Sequence, residues 1–274
     1  MELSEKEHLR NFAARIRRNI IKSTFEAGSG HPGGCLSAAD YIAYLYEREM
    51  NYRPTEPRWE NRDRFVLSKG HAAPALYAAL AQEGFFPEDD LLLLRKDGSY
   101  LQGHPNMNSV LGVDMTSGSL GQGVSAAVGM AKGAKILNMN VRIYTLLGDG
   151  ECAEGQVWEA ALFAAHYKLD NLCVAVDVNR LQIDGPTCEV MNTAPLDEKF
   201  RAFGFNAVSV SGHDFDELEC AFASFHETKG RPTVILLDTV KGKGVSFMEN
   251  SVGWHGKAPN KEEMIAALNE LEDK

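Results

Sequence analysis

Apolar residues recur along this chain with two alternating periods, that of an amphipathic helix and that of a buried strand. Over residues 4–26 they follow helical spacing, at Leu9, Phe12, Ile16, Ile20 and Ile21. Farther along, short runs rich in valine, isoleucine and leucine alternate with helical patterns. The predicted strands are 64–68, 141–147, 172–176, 205–210 and 233–238. Such alternation predicts an α/β fold in which a parallel sheet carries helices on both faces.

The same periodicity predicts the remaining helices, and glycine and proline mark the loops between them. The predicted helices are 37–47, 72–83, 120–137, 156–168, 196–203, 215–228 and 261–271. Ser37 is expected to cap the first of these. The predicted loops are 28–34, 97–118 and 241–259. No repeat or linker interrupts the pattern, so residues 1–274 are expected to form a single domain.

Composition narrows the class of protein. With 274 residues, 44% of them hydrophobic, the chain can bury a sizeable core. A net charge of −10 argues against a nucleic-acid surface. No apolar run is long enough for a bilayer span, and the acidic amino terminus is unlike a signal peptide. Five scattered cysteines without a Cys-x-x-Cys pair indicate idle thiols in a reducing cytoplasm.

The strongest chemical signal lies at the ends of two predicted strands. Gly148-Asp149-Gly150 follows one of them, and Asn179 follows the next. Open α/β sheets bind ligands at the carboxyl ends of their strands. Hard oxygen donors beside glycine suit a Mg²⁺ or Ca²⁺ ion that anchors a diphosphate. Gly-Asp-Gly alone is common in ordinary turns, so it is the combination with Asn179 that predicts a metal site.

Four histidines stand next to glycine or at a strand end: His31, His71, His104 and His255. Any one of them alone is more often a surface residue than a functional one. Their spacing lacks a zinc pattern and no cysteine partner is near. Neutral imidazoles serve better here as proton carriers and hydrogen-bond donors around a polar substrate.

Two further loops carry weaker signals. The glycine-rich run from Ser117 to Gly123 enters a helix, so its backbone amides could meet an anion or a cofactor ring. Lys241 and Lys243 could contact phosphate, although lysines in a loop after a strand are most often solvated.

Taken in order, seven motifs resemble the transketolase family over about residues 10–260. They are SGHPGG, DRFVLSKGHA, GHP, SGSLGQG, GDGECAEG, DVNRLQIDG and WHGKAP. They look like the diphosphate-binding, amino-terminal domain of a thiamine diphosphate enzyme, a family whose fold is the parallel α/β fold predicted above.

The resemblance implies a role for each matching residue. Asp149 and Asn179 would bind the metal through their side chains and Leu181 through its carbonyl oxygen. The ion expected is Mg²⁺, with Ca²⁺ or Mn²⁺ as alternatives. The implied thiamine diphosphate contacts are His71, Gly118, Ser119, Leu120, Gly150, Asn179 and His255. The implied catalytic histidines are His31, His104 and His255. Glu154 matches a family acid near the subunit contact.

The implied activity is transfer of a two-carbon ketol unit from a ketose phosphate to an aldose phosphate, as in the pentose phosphate pathway. Two departures stand out. Ser119 occupies a position where many members have proline, which weakens its assignment. A second domain, which holds the aminopyrimidine of the cofactor in the family, does not fit within 274 residues. The chain therefore resembles the amino-terminal subunit of a split transketolase, expected to form an α₂β₂ complex with a carboxyl-terminal partner subunit.

Several alternatives stay open at this point. The same cofactor serves 1-deoxyxylulose-5-phosphate synthase and the first component of 2-oxoacid dehydrogenases, although His104 and the WHGKAP loop favour transketolase. A binding module that retains the cofactor without catalysis is a different class, against which the full set of histidines argues. The donor and acceptor sugars, which could be ordinary ketose phosphates or sulfosugars, are not fixed by this chain.

Overall fold

A computed structural model describes residues 1–272, and its centre is a five-stranded sheet in which every neighbouring pair is parallel. The strands are β1 (Arg64–Leu67), β2 (Ile143–Gly148), β3 (Leu172–Val178), β4 (Asn206–Ser211) and β5 (Thr233–Asp238). Their order across the sheet is β1-β2-β3-β5-β4. The predicted parallel sheet is confirmed. The last two residues of the predicted single domain lie outside the described part, and the extent of that domain stays a prediction.

Nine α-helices connect or flank these strands within residues 1–272. They are α1 (Leu3–Ala27), α2 (Pro32–Tyr44), α3 (Ala73–Gln82), α4 (Gln122–Ile136), α5 (Gly155–His166), α6 (Thr187–Val190), α7 (Leu196–Ala202), α8 (Phe215–Glu227) and α9 (Lys261–Glu272). A π-helical turn, Leu45–Glu49, extends α2. The helices of the described residues are each too short or too polar to traverse a bilayer.

Helices cover both faces of the sheet, and the strand residues alternate between two apolar cores. Phe65 and Leu67 of β1 point into the core that contains α1, α2, α3 and α8. Val66, between them, points into the core that contains α4, α5 and α7. This alternation follows from the two-residue period of a strand, and burial on both faces explains why the strands read as continuous apolar runs.

Two helix starts differ from the sequence-based prediction. Helix α2 begins at Pro32, so Ser37, expected as its cap, lies one turn inside it. Proline is favourable in a first helical turn because its missing N–H would have no intrahelical partner there. Ser37 donates instead to the carbonyl oxygen of Gly34 and to Asp177. Helix α4 begins at Gln122 rather than Leu120, because Gly121 takes a left-handed conformation with φ of 81°.

The carboxyl ends of β2 and β3 meet at one edge of the sheet, where Gly148 stands in register with Asp177. The loops that follow these strands, the amino terminus of α2 and the turn before α4 converge on this edge. Ligand sites of open α/β sheets form at such an edge.

Candidate active site

The three residues predicted to hold a metal line one cleft at the carboxyl edge of the sheet. Asp149 follows β2, and Asn179 and Leu181 follow β3. Asp149 accepts hydrogen bonds from the backbone N–H groups of Gly150 (2.8 Å) and Arg180 (2.6 Å). The amide oxygen of Asn179 accepts one from the N–H of Leu181, at 3.1 Å. These bonds fix the donor groups, and each oxygen keeps lone-pair capacity for a further partner.

The surroundings that this chain provides disfavour the negative charge of Asp149. Burial, and after it the nearby Asp177 carboxylate, raises the pKa of Asp149 to about 6. A cation at this carboxylate would relieve both effects. One carboxylate, one amide oxygen and one carbonyl oxygen are the hard donors that Mg²⁺ and Ca²⁺ take. The described residues contain no cluster of three His, Cys, Asp or Glu side chains suited to a metal. The residues present therefore fit a diphosphate-bound divalent cation.

Beneath this edge lies a buried ionic network that the sequence-based reasoning assigned no role. Asp177 is fully buried and pairs with Lys69, which is 1% exposed. Thr239 and Ser37 also donate to its carboxylate, and Asn179 donates through its amide nitrogen at 3.0 Å. Burial opposes the charge, but the Lys69 ammonium and these hydrogen bonds lower the pKa of Asp177 below its usual value. Asp177 thus orients Asn179 toward the cleft.

A second buried acid, Glu151, joins three segments around the cleft. Its carboxylate accepts from the Ser68 hydroxyl (2.5 Å) and from the N–H groups of Gly121 (2.8 Å) and Gly148 (3.1 Å). Burial raises the pKa of this carboxyl above its usual value. The side chain holds the end of β1, the start of α4 and the end of β2 in one arrangement. A glutamate directly after Gly-Asp-Gly was the only signal for it in the sequence.

The structure brings all four predicted histidines together, although they come from four distant segments. The His31 ring lies 5.3 Å from the ring of His71, 5.6 Å from that of His255 and 6.4 Å from that of His104, between centroids. The rings of His71 and His255 are 5.4 Å apart. The Nδ1 atom of His31 is buried and has no hydrogen-bond partner within residues 1–272.

All four imidazoles are biased toward their neutral forms. Burial, followed by electrostatic interaction with Arg95, the His104 ring and Lys241, lowers the pKa of His31 to about 4. Burial and then Lys241 lower the pKa of His255 to about 3. Burial is also the first cause for His71, whose pKa lies well below its usual value, and for His104, where Arg95 follows. Neutral imidazoles at neutral pH can both accept and donate a proton.

Lys241 faces the site, in contrast to the expectation that it is solvated. The side chain is 1% exposed, and its ammonium contacts Nδ1 of His255 at 2.8 Å and the carbonyl oxygen of Leu181 at 3.0 Å. Lys243, two residues on, is half-buried, and its ammonium lies 3.8 Å from Glu249. The sequence could not distinguish Lys241 from Lys243, because only the fold of the 241–259 loop decides which of them points inward. Burial, and after it the Lys69 ammonium, lowers the pKa of Lys241 to about 8.

The predicted cofactor contacts are mostly on the cleft wall, with one departure. The cleft has a volume of about 380 Å³ and is lined by the metal-edge residues together with His31, His71, Gly118, Leu120, Gly150, Lys241 and His255. Gly118 approaches His104 so closely that a Cβ atom would lie 3.4 Å from its ring. Ser119 is exposed, accepts from the side chain of Gln122 at 3.3 Å and does not line the cleft. Glu154 lies at the rim.

Known proteins match this chain over nearly its whole length. The family described as "Transketolase, thiamine diphosphate binding domain" matches residues 9–271. The 6-deoxy-6-sulfo-D-fructose transketolase subunit SqwG of Clostridium sp. (strain MSTE9) is 46% identical over 264 residues, which cover 96% of each chain. Transketolase of Homo sapiens is 46% identical over 250 residues, covering 91% of this chain but 40% of the human protein.

Solved structures agree with these sequence matches. Transketolase from Leishmania mexicana aligns with a TM-score of 0.90 at 33% identity, covering 96% of this chain and 41% of that one. Transketolase from Campylobacter jejuni aligns with a TM-score of 0.90 at 32% identity, covering 99% and 43%. The chain thus spans about two fifths of the length of these transketolases and nearly all of the clostridial subunit.

Proposed function

Because this chain belongs to the transketolase family, through its thiamine diphosphate binding domain, we propose that it is the diphosphate-side subunit of a split transketolase. The complex would transfer a two-carbon ketol unit from a ketose phosphate to an aldose acceptor. One observation carries the proposal: the oxygen donors of Asp149, Asn179 and Leu181 share a cleft with His31, His71 and His255. An anchor for a metal-bound diphosphate therefore lies beside groups able to move protons.

The proposed cofactor assignments follow from this arrangement. Asp149, Asn179 and the Leu181 carbonyl would hold Mg²⁺, and the buried Lys241 ammonium would meet the negative charge of the diphosphate. The remaining assigned contacts are His71, Gly118, Leu120, Gly150 and His255. When bound, thiamine diphosphate supplies an electron sink that lets the carbon–carbon bond beside a ketose carbonyl break.

The histidines would handle the protons of the sugar. His31, His104 and His255 come from separate loops, and the low pKa values of their rings leave them neutral at pH 7. A neutral ring can accept a proton from a substrate hydroxyl and return it, and it can also donate a hydrogen bond to developing negative charge on oxygen. The Lys241 ammonium at His255 orients that ring through Nδ1.

The proposed partner is a chain that carries the pyrimidine-binding domain of a transketolase, assembled with this one as α₂β₂. Two observations support it. Full-length transketolases extend well beyond the aligned region, whereas the clostridial protein of matching length is named as a subunit. At the cleft, Leu120 and Ile183 leave 36% and 68% of their surface exposed. Apolar side chains at the mouth of a polar cleft are suited to burial by another chain.

We place the complex in the cytoplasm because all five cysteines are free thiols.

A second candidate concerns the donor sugar. The clostridial relative of the same length is named for 6-deoxy-6-sulfo-D-fructose. Identity of 46% over 96% of each chain makes a sulfonated ketose a candidate donor for this complex beside ketose phosphates. Both donors place a tetrahedral anion at the far end of the sugar, whose recognition we assign to the partner subunit.

The proposal is tested by measuring ketol transfer with this chain alone, the partner alone and the two together. The donors would be xylulose 5-phosphate and 6-deoxy-6-sulfofructose, each with an aldose phosphate, thiamine diphosphate and Mg²⁺. Transfer by the mixture and by neither chain alone is the expected result. Transfer by this chain alone would contradict the shared site, and a cofactor-loaded mixture inactive on both donors would contradict the reaction. The ratio of rates for the two donors decides between the two substrates.

A further inference from the structure

Arg95 lies between two of the histidine-bearing loops, in a segment for which neither motif nor family match assigned a role. It follows the 3₁₀ turn Glu88–Leu93 and adopts a left-handed backbone with φ of 59°. Its backbone N–H donates to the carbonyl oxygen of Leu101 at 2.8 Å, which closes the short loop 95–101. A left-handed conformation is uncommon for a residue with a long side chain, so the direction of this side chain is imposed by the fold.

The guanidinium of Arg95 touches both loops. It lies flat against Gly103, where a Cβ atom would stand 2.6 Å from its Cζ atom. Its Nη1 atom donates to the hydroxyl of Ser29 at 3.5 Å. Gly103 directly precedes His104, and Ser29 stands two residues before His31. One side chain therefore connects the backbone segments that carry two of the four site histidines, and glycine at 103 leaves the space for it.

The charge of the half-buried Arg95 is not compensated in the way of the two buried arginines. Arg17 pairs with Asp40, and Arg62 pairs with Asp114. Within residues 1–272 no carboxylate lies within 4.0 Å of Arg95, and its buried Nε atom has no hydrogen-bond partner. A buried donor without a partner is unfavourable. A salt bridge therefore does not explain the position of this guanidinium, in contrast to Arg17 and Arg62.

We propose that Arg95 is a positioning residue of the sugar-handling side of the site: its guanidinium braces the His31 loop against the His104 loop, and its uncompensated charge acts on both imidazoles. The inference deepens the proposed function, on which the catalytic use of these histidines rests. The bracing and the electrostatic coupling belong to this chain and exist whether or not it transfers ketol groups.

The electrostatic part agrees with the groups that face each ring. His31 is surrounded by Arg95, by Lys241 and by the rings of His71, His104 and His255. His104 is faced by Arg95 and by the His31 ring. After burial, Arg95 is the next cause that lowers the pKa of each of the two histidines. Arg95 is thus the cation common to both, and its removal should make both easier to protonate.

The test is a histidine titration by NMR on this whole chain, with neither partner nor cofactor present. Signals of ¹³C-labelled imidazoles would be followed between about pH 8 and about pH 3, which brackets both the ordinary and the lowered midpoint, with His31→Gln and His104→Gln as assignment variants. In Arg95→Met both midpoints should rise toward ordinary imidazole values. In Arg95→Lys they should stay close to those of the unmodified chain. Lys96→Met is the matched control, since Lys96 is exposed and faces Glu26 at 3.9 Å.

Unchanged midpoints in Arg95→Met, an equal rise in Arg95→Lys, or an equal rise in Lys96→Met would each overturn the proposal. Should Arg95→Met fail to fold, Gly103→Ala displaces the guanidinium and keeps its charge on the chain, and a rise at both histidines is again expected. In the assembled enzyme, Arg95→Met should move the acid limb of kcat/KM to higher pH, which a purely structural role would not do. Absence of ketol transfer in the unmodified complex would refute the proposed function and leave the titration result standing.

Discussion

His31 is the side chain at which proton transfer and cofactor binding are best separated. Its ring contacts three other imidazoles, and its Nδ1 atom has no partner among the described residues. We predict that His31→Gln lowers kcat of the assembled complex about 100-fold, the lower range for loss of a general acid–base group, with little change in the Kd of thiamine diphosphate. Steady-state kinetics would measure kcat, and a titration with thiamine diphosphate would measure its Kd. The exposed His8→Gln serves as control, and an unaltered kcat in His31→Gln would remove the role.

The stability contributed by His31 depends on pH in a definite direction. Its pKa is lowered from 6.5 to about 4 in the folded chain. Between these values the unfolded chain binds more protons than the folded one, so this contribution is lost as pH falls. We therefore predict that the difference in free energy of unfolding, unmodified chain minus His31→Gln, decreases steadily from pH 6.5 toward pH 4. Urea denaturation at a series of pH values measures it, and a constant difference would contradict the account.

The Lys69–Asp177 pair is a test of the buried network under the metal edge. Both side chains are almost fully buried. Lys69→Met leaves an uncompensated carboxylate, which typically costs about 3–5 kcal/mol. Lys135→Met, which breaks the partly exposed pair with Asp170, should cost no more than about 1 kcal/mol. Equal losses in the free energy of unfolding of the two variants, measured by urea denaturation, would contradict a special contribution of the buried Lys69–Asp177 pair.

At the level of single residues, the sequence was sufficient to predict part of the candidate site. Asp149 and Asn179 could be predicted because both directly follow apolar strands, and strand ends meet at one edge in a parallel sheet. The inward position of Lys241 could not be predicted, since it depends on contacts with Leu181 and His255. The contact with Leu181 joins residues 60 positions apart, and the one with His255 depends on how the 241–259 loop folds, so local pattern carries no information about either.

Among the secondary-structure elements, helix α4 lies close to the sheet because of one glycine. A Cβ atom on Gly123 would stand 2.6 Å from the Cα atom of Ser68, which is backbone at the end of β1. On the same helix Gly133 has open space around it. The helix therefore offers a matched pair of glycines, one constrained by packing and one not.

We predict opposite effects of alanine at these two positions. Gly123→Ala should destabilise the chain by about 1–3 kcal/mol, the usual cost of overpacking. Gly133→Ala should stabilise it by about 0.5–1 kcal/mol, because alanine lowers the entropy cost of helix formation. Thermal or urea denaturation of both variants measures the two changes. A loss at Gly133 equal to that at Gly123 would contradict the assignment of the Gly123 effect to its close approach to β1.

The elements were largely predictable, apart from the short helix α6 and the starts of α2 and α4. All five strands fall within a few residues of the positions predicted from apolar runs. The start of α2 was misplaced because Pro32-Gly33-Gly34 reads as a loop, yet these residues form the first turn of the helix. The absence of a side chain at Gly33 allows close approach there: a Cβ atom at this position would stand 2.8 Å from the carbonyl oxygen of Trp254. Tertiary packing thus overrode local propensity.

Considered as a whole, the molecule presents a cleft whose floor is ordered and whose mouth is open. Buried networks around Asp177 and Glu151 fix the floor, and exposed Leu120 and Ile183 stand at the mouth. This combination supports a subunit that supplies the metal–diphosphate side and the proton carriers and leaves the opposite wall to a partner. The extent of the single domain stays a prediction.

The measurement that tests the central claim most directly is thiamine diphosphate binding to the assembled complex as a function of Mg²⁺, for the unmodified chain, Asp149→Asn and Asp184→Asn. Asp184 is an exposed acid that lines the same cleft, so it controls for loss of negative charge. Loss of one of the three proposed protein ligands should weaken Mg²⁺-dependent binding about 100-fold or more in Asp149→Asn, because changing even the groups that support metal ligands costs about 10–100-fold. Binding should be nearly unchanged in Asp184→Asn. Mg²⁺-dependent binding of equal affinity in all three would contradict the metal–diphosphate site and the account built on it.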